Sequence, residues 1–232
     1  MRILAISLDL DDTLWPIQPV IHAAEQHLDA WLKHHHAAVA AAWPIPALRA
    51  LRERIAVERP DIAHDFTAQR KLMLEQAFAA CGIGRDPVEP AFEVFYAARN
   101  RVDCYPDVGP ALSALAARLP LASISNGNAD LQRIGLRAHF RHTICARQIG
   151  MAKPAPAIFH AACARLGIAP EHMLHVGDDP ALDIEGARAA GLRTAWLNRS
   201  AAAWSDAAPG IMPPDLHIRD LAELVRWIEH HT

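Results

Sequence analysis

Apolar residues follow two rhythms along this chain. Short continuous runs at Ile3–Leu8, Leu119–Ser125, Met173–Val176 and Thr194–Leu197, with a weaker one at Thr143–Cys145, lie at the start and through the second half, each followed by a helical pattern. A strand that is apolar at every position is buried on both faces, so these runs predict a parallel sheet covered by helices on both sides. Residues 17–103 hold no such run. Val20, Ile21, Ala24, Leu28, Trp31 and Leu32 recur there at helical spacing, and Leu48, Leu51 and Ile55 resume it beyond Pro44, Ile45 and Pro46. Further helices are predicted over 65–81, ended by Gly82, and over 90–101. Turn residues bound the insert: Trp15 and Pro16 on entry, and Tyr105, Pro106 and Asp107 on return. The expected fold class is α/β, with an all-helical domain over 17–103 inserted into a sheet domain formed by 1–16 and 104–232.

In an open parallel sheet, ligands bind outside the carboxyl ends of the strands, so the residues leaving each predicted strand carry the chemical information. The first strand runs into Asp9, Asp11, Asp12 and Thr13. One Asp could cap a helix, but three carboxylates within four positions are more than a cap requires. Asp9 and Asp11, two apart, face the same way while the backbone stays extended. A carboxylate can attack phosphorus, and a second can give a proton to the leaving group and later take one from water. A divalent cation would remove the repulsion. The second strand ends in Ser125, Asn126, Gly127 and Asn128, which read either as a phosphate cradle or as ordinary loop chemistry. Lys153 precedes Pro154 and a helical pattern through Ile158, Phe159, Ala162 and Leu166; it is either solvated or set where a helix start favours an anion.

The run Met173–Val176 leads into Gly177, Asp178, Asp179, Pro180 and, further on, Asp183. Asp179 reads as an N-cap with proline at N1. Asp178 leaves its strand at the first turn, where a Mg²⁺ ion held by Asp9 would need more oxygen ligands. Asp183, one helical turn on, could reach the ion directly, through water, or by fixing Lys153.

Composition narrows the partners. The 232 residues fit one large domain or two small ones. A net charge of −3 gives no basic footprint for nucleic acid. No segment approaches the roughly 18 apolar residues of a membrane span. The first apolar run is too short for a signal peptide, so the expected location is cytoplasmic, with no nucleic-acid or membrane partner. Cys81, Cys104, Cys145 and Cys163 lack metal-site spacing and read as small buried thiols. His34, His35 and His36 point about 100° apart on a helix and cannot share one face. Trp15 reads as a stacking platform or as packing, and Arg49, Arg52 and Arg54 as an exposed helical face.

The four clusters in this order, Asp-Leu-Asp-Asp-Thr, Ile-Ser-Asn, Lys-Pro and Gly-Asp-Asp-Pro-Ala-Leu-Asp, resemble the signature of the haloacid dehalogenase superfamily, and with the insert they cover nearly the whole chain. The resemblance implies a Rossmann-like doubly wound core with a helical cap that selects substrate. It implies Asp9 as nucleophile, Asp11 as general acid/base, and Lys153 as charge stabiliser. It also implies Ser125 at the phosphate, and Asp178 with the Asp11 backbone carbonyl at a Mg²⁺ ion; the residues themselves add Asn126 and Gly127 to the cradle and Asp9 and Asp183 to the ion. The stretch from Glu58 to Asp65, Ser125–Asn128 and His175–Asp179 further resemble bacterial flavin mononucleotide phosphatases, although Ser7 and Ala155 depart from that pattern. The expected activity is Mg²⁺-dependent hydrolysis of a small phosphorylated molecule, flavin mononucleotide or a similar metabolite, through an aspartyl-phosphate, by a monomer or homodimer. The alternatives are a 2-haloacid dehalogenase, a phosphoryl mutase and a catalytically silent binding protein. Asp11 argues against the dehalogenase, because halide departure leaves no alkoxide to protonate.

Overall fold

The computed structural model describes residues 2–231. Its six strands are β1 (Ala5–Leu8), β2 (Leu121–Ser125), β3 (His142–Cys145), β4 (Met173–Gly177), β5 (Arg193–Leu197) and β6 (Leu216–Ile218). They form one parallel sheet in the order β3-β2-β1-β4-β5-β6, the doubly wound arrangement. Every residue of β1, β2 and β4 is buried, as the continuous apolar runs require. Strand β6 escaped the sequence reading: it is three residues long, at the sheet edge, with His217 exposed at its centre.

Five helices fill the insert: α1 (Ile17–His35), α2 (Ala37–Ala42), α3 (Ile45–Glu58), α4 (Phe66–Ala80) and α5 (Val88–Arg99). Asp65 caps α4 by accepting from the amides of Thr67 and Ala68, and Gly82, at φ +71°, turns the chain out of it. Val20, Ala24, Leu28 and Leu32 line the buried side of α1, which packs against α5. Leu51, Ile55, Met73, Phe78 and Phe95 share the same core. The remaining helices are α6 (Val108–Ala116), α7 (Leu131–Ile134), α8 (Ala146–Ile149), α9 (Pro156–Leu166), α10 (Gly186–Ala189), α11 (Trp204–Ala207) and α12 (Leu221–His231). Among the described residues, no helix is long and apolar enough to cross a membrane.

The chain divides into two compact units. The sheet unit comprises residues up to Pro16, Asp103–Gly127, and the chain from Gly135 onward. The helical unit comprises Ile17–Val102 and also Asn128–Ile134, a segment that hydrophobic periodicity assigned to the sheet domain. Its place is explained by polar contacts: Asn128 Nδ2 donates to Thr67 Oγ1 at 3.1 Å, and the Asp130 amide donates to Asn100 Oδ1 at 2.7 Å.

Candidate active site

In this strand order, β1 is flanked by β2 and β4, and its connections leave to opposite sides, so the crevice opens at the carboxyl ends of β1 and β4. Leu8 lies beside Val176, and the Asp9 amide extends the ladder to the Val176 carbonyl at 2.9 Å. Asp9 and Asp178 therefore leave neighbouring strands at nearly the same level. Past Asp178 the chain enters a π-helical turn, Pro180–Glu185, with Asp179 as N-cap accepting from the amides of Ala181 and Leu182. The widened turn carries Asp183 back to the strand end, where the Asp179 amide donates to Asp183 Oδ2 at 3.1 Å.

Oxygens of Asp9, Asp178 and Asp183 lie within 4.8 Å of one another. Lys153 stands between two of these acids, its Nζ 2.5 Å from Asp9 Oδ1 and 2.6 Å from Asp183 Oδ1. An ammonium has three N–H donors, so one remains for another ligand. Burial opposes the Lys153 charge, but Asp183 and Asp9 outweigh it and hold the ammonium above its ordinary range. Burial would likewise raise Asp183, yet Lys153 and His175 hold it well below the usual carboxylate range. Asp9 goes the other way: burial raises it well above that range, and Lys153 only partly offsets the effect of burial and of Asp183 and Asp178. Asp178 is pushed up to about 7 by burial and then by Asp183, despite a 2.9 Å hydrogen bond from Thr13 Oγ1.

Two buried carboxylates and the half-buried Asp178 against one ammonium leave the cluster short of positive charge. A divalent cation would bring it to neutrality, and an all-oxygen donor set suits Mg²⁺. Asp9, Asp178 and Asp183 are the side chains able to hold it. Because the cation must displace a proton from Asp178, and Asp9 is raised as well, its apparent affinity is expected to fall by at least about tenfold per pH unit below pH 7. The corresponding stability effect has a definite sign. A carboxyl at about 7 when folded and about 3.9 when unfolded binds more protons in the folded state, so its contribution to stability declines as pH rises across that interval. Calorimetric Mg²⁺ titration from about pH 5.5 to 8 checks this, and an affinity independent of pH would refute it.

Asp11 stands apart from the carboxylate cluster. Trp15 Nε1 donates to its Oδ1 at 2.9 Å, so the buried Trp15 orients this carboxylate. Asp12 lies at φ +60° with its amide on the Trp15 carbonyl at 2.8 Å, a turn position that Asp tolerates better than most residues. Ser125 Oγ accepts the Gly127 amide at 3.0 Å. The Asn126 side chain is engaged on both sides by the Lys153 backbone: Nδ2 donates to the carbonyl at 3.0 Å, and Oδ1 accepts the amide at 2.7 Å. It thereby fastens the Lys153 loop to the end of β2. Beside Asp178 lies a cavity of about 190 Å³ lined by Asp12, Tyr105, Trp196, Asn198 and Arg199.

Three supports were not assigned from sequence. Thr13 reaches Asp178, as described, and Ser7 and His175 form a buried chain toward Asp183. Ser7 and His175 face each other across β1 and β4; Ser7 Oγ lies 2.9 Å from Nδ1, and His175 Nε2 lies 3.1 Å from Asp183 Oδ1. Burial holds the imidazole below its ordinary pKa and therefore neutral. A carboxylate only accepts, so Nε2 carries the proton and Nδ1 accepts from the Ser7 hydroxyl. The available signal was the presence of two polar residues inside otherwise apolar strands.

Gly177 admits Asp183. A Cβ at this position would lie 2.2 Å from Asp183 Cγ, whereas one at Gly84 would meet nothing within 4 Å. Misplacing a catalytic group by about 1 Å can cost on the order of 10² in rate. Gly177→Ala is expected to lower kcat by about that factor, with Gly84→Ala as an unaffected control. Steady-state kinetics on folded protein would check it, and an active Gly177→Ala enzyme would remove Asp183 from the site.

Residues 3–191 match the family described as haloacid dehalogenase-like hydrolase. The 5-amino-6-(5-phospho-D-ribitylamino)uracil phosphatase YigB of Escherichia coli is 30% identical over 231 residues, covering 98% of this chain and 97% of the relative. A phosphoserine phosphatase of Thermus thermophilus is 34% identical over 161 residues, covering 67% of this chain and 63% of the relative. Among solved structures, a 2-haloacid dehalogenase from Pseudomonas syringae superimposes over the full length of both chains with a TM-score of 0.91 and 36% identity.

Proposed function

This chain belongs to the haloacid dehalogenase-like hydrolase family, and on that premise we propose that it is a Mg²⁺-dependent phosphatase acting on a small phosphomonoester through an aspartyl-phosphate. The observation that carries this reading is the Asp9–Asp178–Asp183 cluster, two of its acids buried and bridged by Lys153, a donor set that calls for a divalent cation. The similar Pseudomonas syringae protein is described as a dehalogenase, and the two activities make different demands. Attack on carbon with departure of halide needs neither a cation nor a proton donor. Phosphate-ester cleavage needs both, and the chain has Asp11 two residues after Asp9, oriented by Trp15.

Asp9 attacks phosphorus in line, while Asp11, protonated, delivers its proton to the oxygen of the departing alcohol. The carboxylate left on Asp11 then takes a proton from a water molecule that attacks the aspartyl-phosphate, releasing phosphate and restoring Asp9. The free N–H of Lys153 and the turn at Ser125–Gly127 are set to donate to the equatorial phosphoryl oxygens. Bound Mg²⁺, held by Asp9, Asp178, the Asp11 carbonyl and Asp183, directly or through water, would offset the negative charge shared by nucleophile and phosphate.

For the substrate we infer a ribityl phosphate bearing a heterocyclic dione, flavin mononucleotide or 5-amino-6-(5-phospho-D-ribitylamino)uracil, with the helical unit as the selecting cap. Similarity across 98% of the chain to the Escherichia coli phosphatase supports this choice. A panel of these compounds, O-phosphoserine, hexose phosphates and nucleotides is assayed for phosphate release with and without Mg²⁺, alongside halide release from 2-chloropropionate. The expected result is Mg²⁺-dependent release, greatest from a ribityl phosphate. Halide release without phosphate release would overturn the phosphatase reading, and preference for a hexose phosphate would overturn only the substrate.

A further inference from the structure

Strand β5 reaches Asp178 by two routes, both within the sheet unit. Trp196, on the strand, donates from Nε1 to the Asp178 carbonyl at 2.7 Å. Arg199, two residues beyond the strand end, reaches the carboxylate indirectly. Its Nε and Nη2 donate to the Thr13 carbonyl at 3.2 and 2.9 Å, and Thr13 Oγ1 is the donor to Asp178 Oδ1. The other side of the guanidinium forms a fork on Asp107, with Nη1 donating to Oδ1 at 3.0 Å and Nη2 to Oδ2 at 3.1 Å. Four N–H groups are thus committed to two acceptors, which fixes the guanidinium plane. The Tyr105 ring covers that plane, its centroid 3.9 Å from Arg199 Cζ.

The fork is itself braced. Asp107 Oδ2 also accepts the amide of Leu221 at 2.8 Å, at the start of α12, where the helix dipole favours a carboxylate. Burial opposes the charge on Asp107, but Arg199 and then the Leu221 amide hold its carboxyl below the ordinary range. The surroundings of Asp178 give this bracing a purpose. The cavity of about 190 Å³ beside it leaves the carboxylate room to turn, so hydrogen bonding rather than close packing sets its direction. Thr13 is fully buried and β-branched, with one stiff torsion between its backbone and its hydroxyl. Where the Thr13 backbone is held, the hydroxyl follows.

We propose that Arg199 is a positioning residue for the metal site: braced by Asp107 and Tyr105, it holds the Thr13 carbonyl and, through the Thr13 hydroxyl, aims the Asp178 carboxylate at the cation. This role rests on the reading of Asp178 as a Mg²⁺ ligand, and it adds what holds that ligand from outside the acidic cluster. Arg199 bonds neither Asp9 nor Asp11. Its contribution therefore belongs to cation affinity rather than to the chemical step.

The test is calorimetric Mg²⁺ titration of the full-length protein at about pH 8, above the Asp178 range. Thr13→Val, Arg199→Met and the double variant form a cycle. Each single change is expected to weaken Mg²⁺ binding about tenfold. The double variant should lose no more than either alone, because both changes break the same path to Asp178. Arg193→Met is the control: it removes an ion pair with Asp215, 2.8 Å long, at the opposite end of β5, and should leave the affinity at its wild-type value. If Arg199→Met does not fold, Arg199→Lys takes its place. It keeps a charge beside Asp107 but not the fork, so it should melt near wild type and still lose affinity. Wild-type affinity in a folded Arg199 variant, additive losses in the double variant, or an equal loss in Arg193→Met would each overturn this role. Wild-type protein that binds no Mg²⁺ would overturn the metal reading itself, and the role of Arg199 with it.

Discussion

Asp9→Asn is expected to abolish phosphate release, by on the order of 10⁴–10⁶-fold, without unfolding the protein. The amide is nearly isosteric, but its oxygen is a far weaker nucleophile and cannot form a stable acyl phosphate. The stability prediction runs opposite to the catalytic one. Asp9 is one of three clustered carboxylates served by a single lysine, and its own carboxyl is raised well above the usual range. Removing its charge relieves repulsion with Asp178 and Asp183, while Lys153 keeps its bond to Asp183. Metal-free Asp9→Asn should therefore melt no lower than wild type. Phosphate-release kinetics together with thermal melts decide the matter. Near-normal turnover would dismiss the aspartyl-phosphate mechanism, and a collapsed fold would mean that Asp9 serves stability instead.

Lys153→Met is expected to damage both properties. Its side chain is 2% exposed and bridges Asp9 and Asp183. Deleting one partner of a buried ionic network strands the other charges, at about 3–5 kcal/mol in stability. The lost donor to the phosphoryl oxygens should lower kcat by roughly 10²–10³. Lys153→Arg should not rescue, since a planar fork cannot reproduce a compact ammonium in so enclosed a position. The sharper check is the double variant Lys153→Met with Asp183→Asn. It should recover part of the stability, because the carboxylate that Lys153 neutralises has also gone, and recover none of the activity. Additive stability losses would mean that the two residues are not coupled.

The parts of the site that could be read from sequence are those written locally. An apolar run ended by Asp9 or by Asp178 announces a buried strand delivering a carboxylate to the sheet edge, and Asp179 before Pro180 announces an N-cap. What could not be read are pairings set by strand order. Nothing near Ser7 indicates that His175 will lie opposite it, or near Thr13 that its hydroxyl will meet Asp178. Those contacts exist because β1 lies beside β4, a neighbour more than 160 residues away in sequence. Asn126 illustrates the same limit: its composition suited a phosphate turn, while its side chain serves the Lys153 backbone.

The assignment of Asn128–Ile134 to the helical unit bears on how such enzymes can be recombined. Transplanting 17–102 onto a foreign sheet domain treats the insert as a cassette with two joints, but the unit has four. A cassette cut at two would leave Thr67 without Asn128 and Asn100 without the Asp130 amide. Chimaeras that carry 128–134 with the donor insert should transfer substrate preference, and those that leave it behind should lose it. A working transplant is therefore a two-segment graft, 17–102 together with 128–134, although 25 residues of the sheet unit separate the two in the chain.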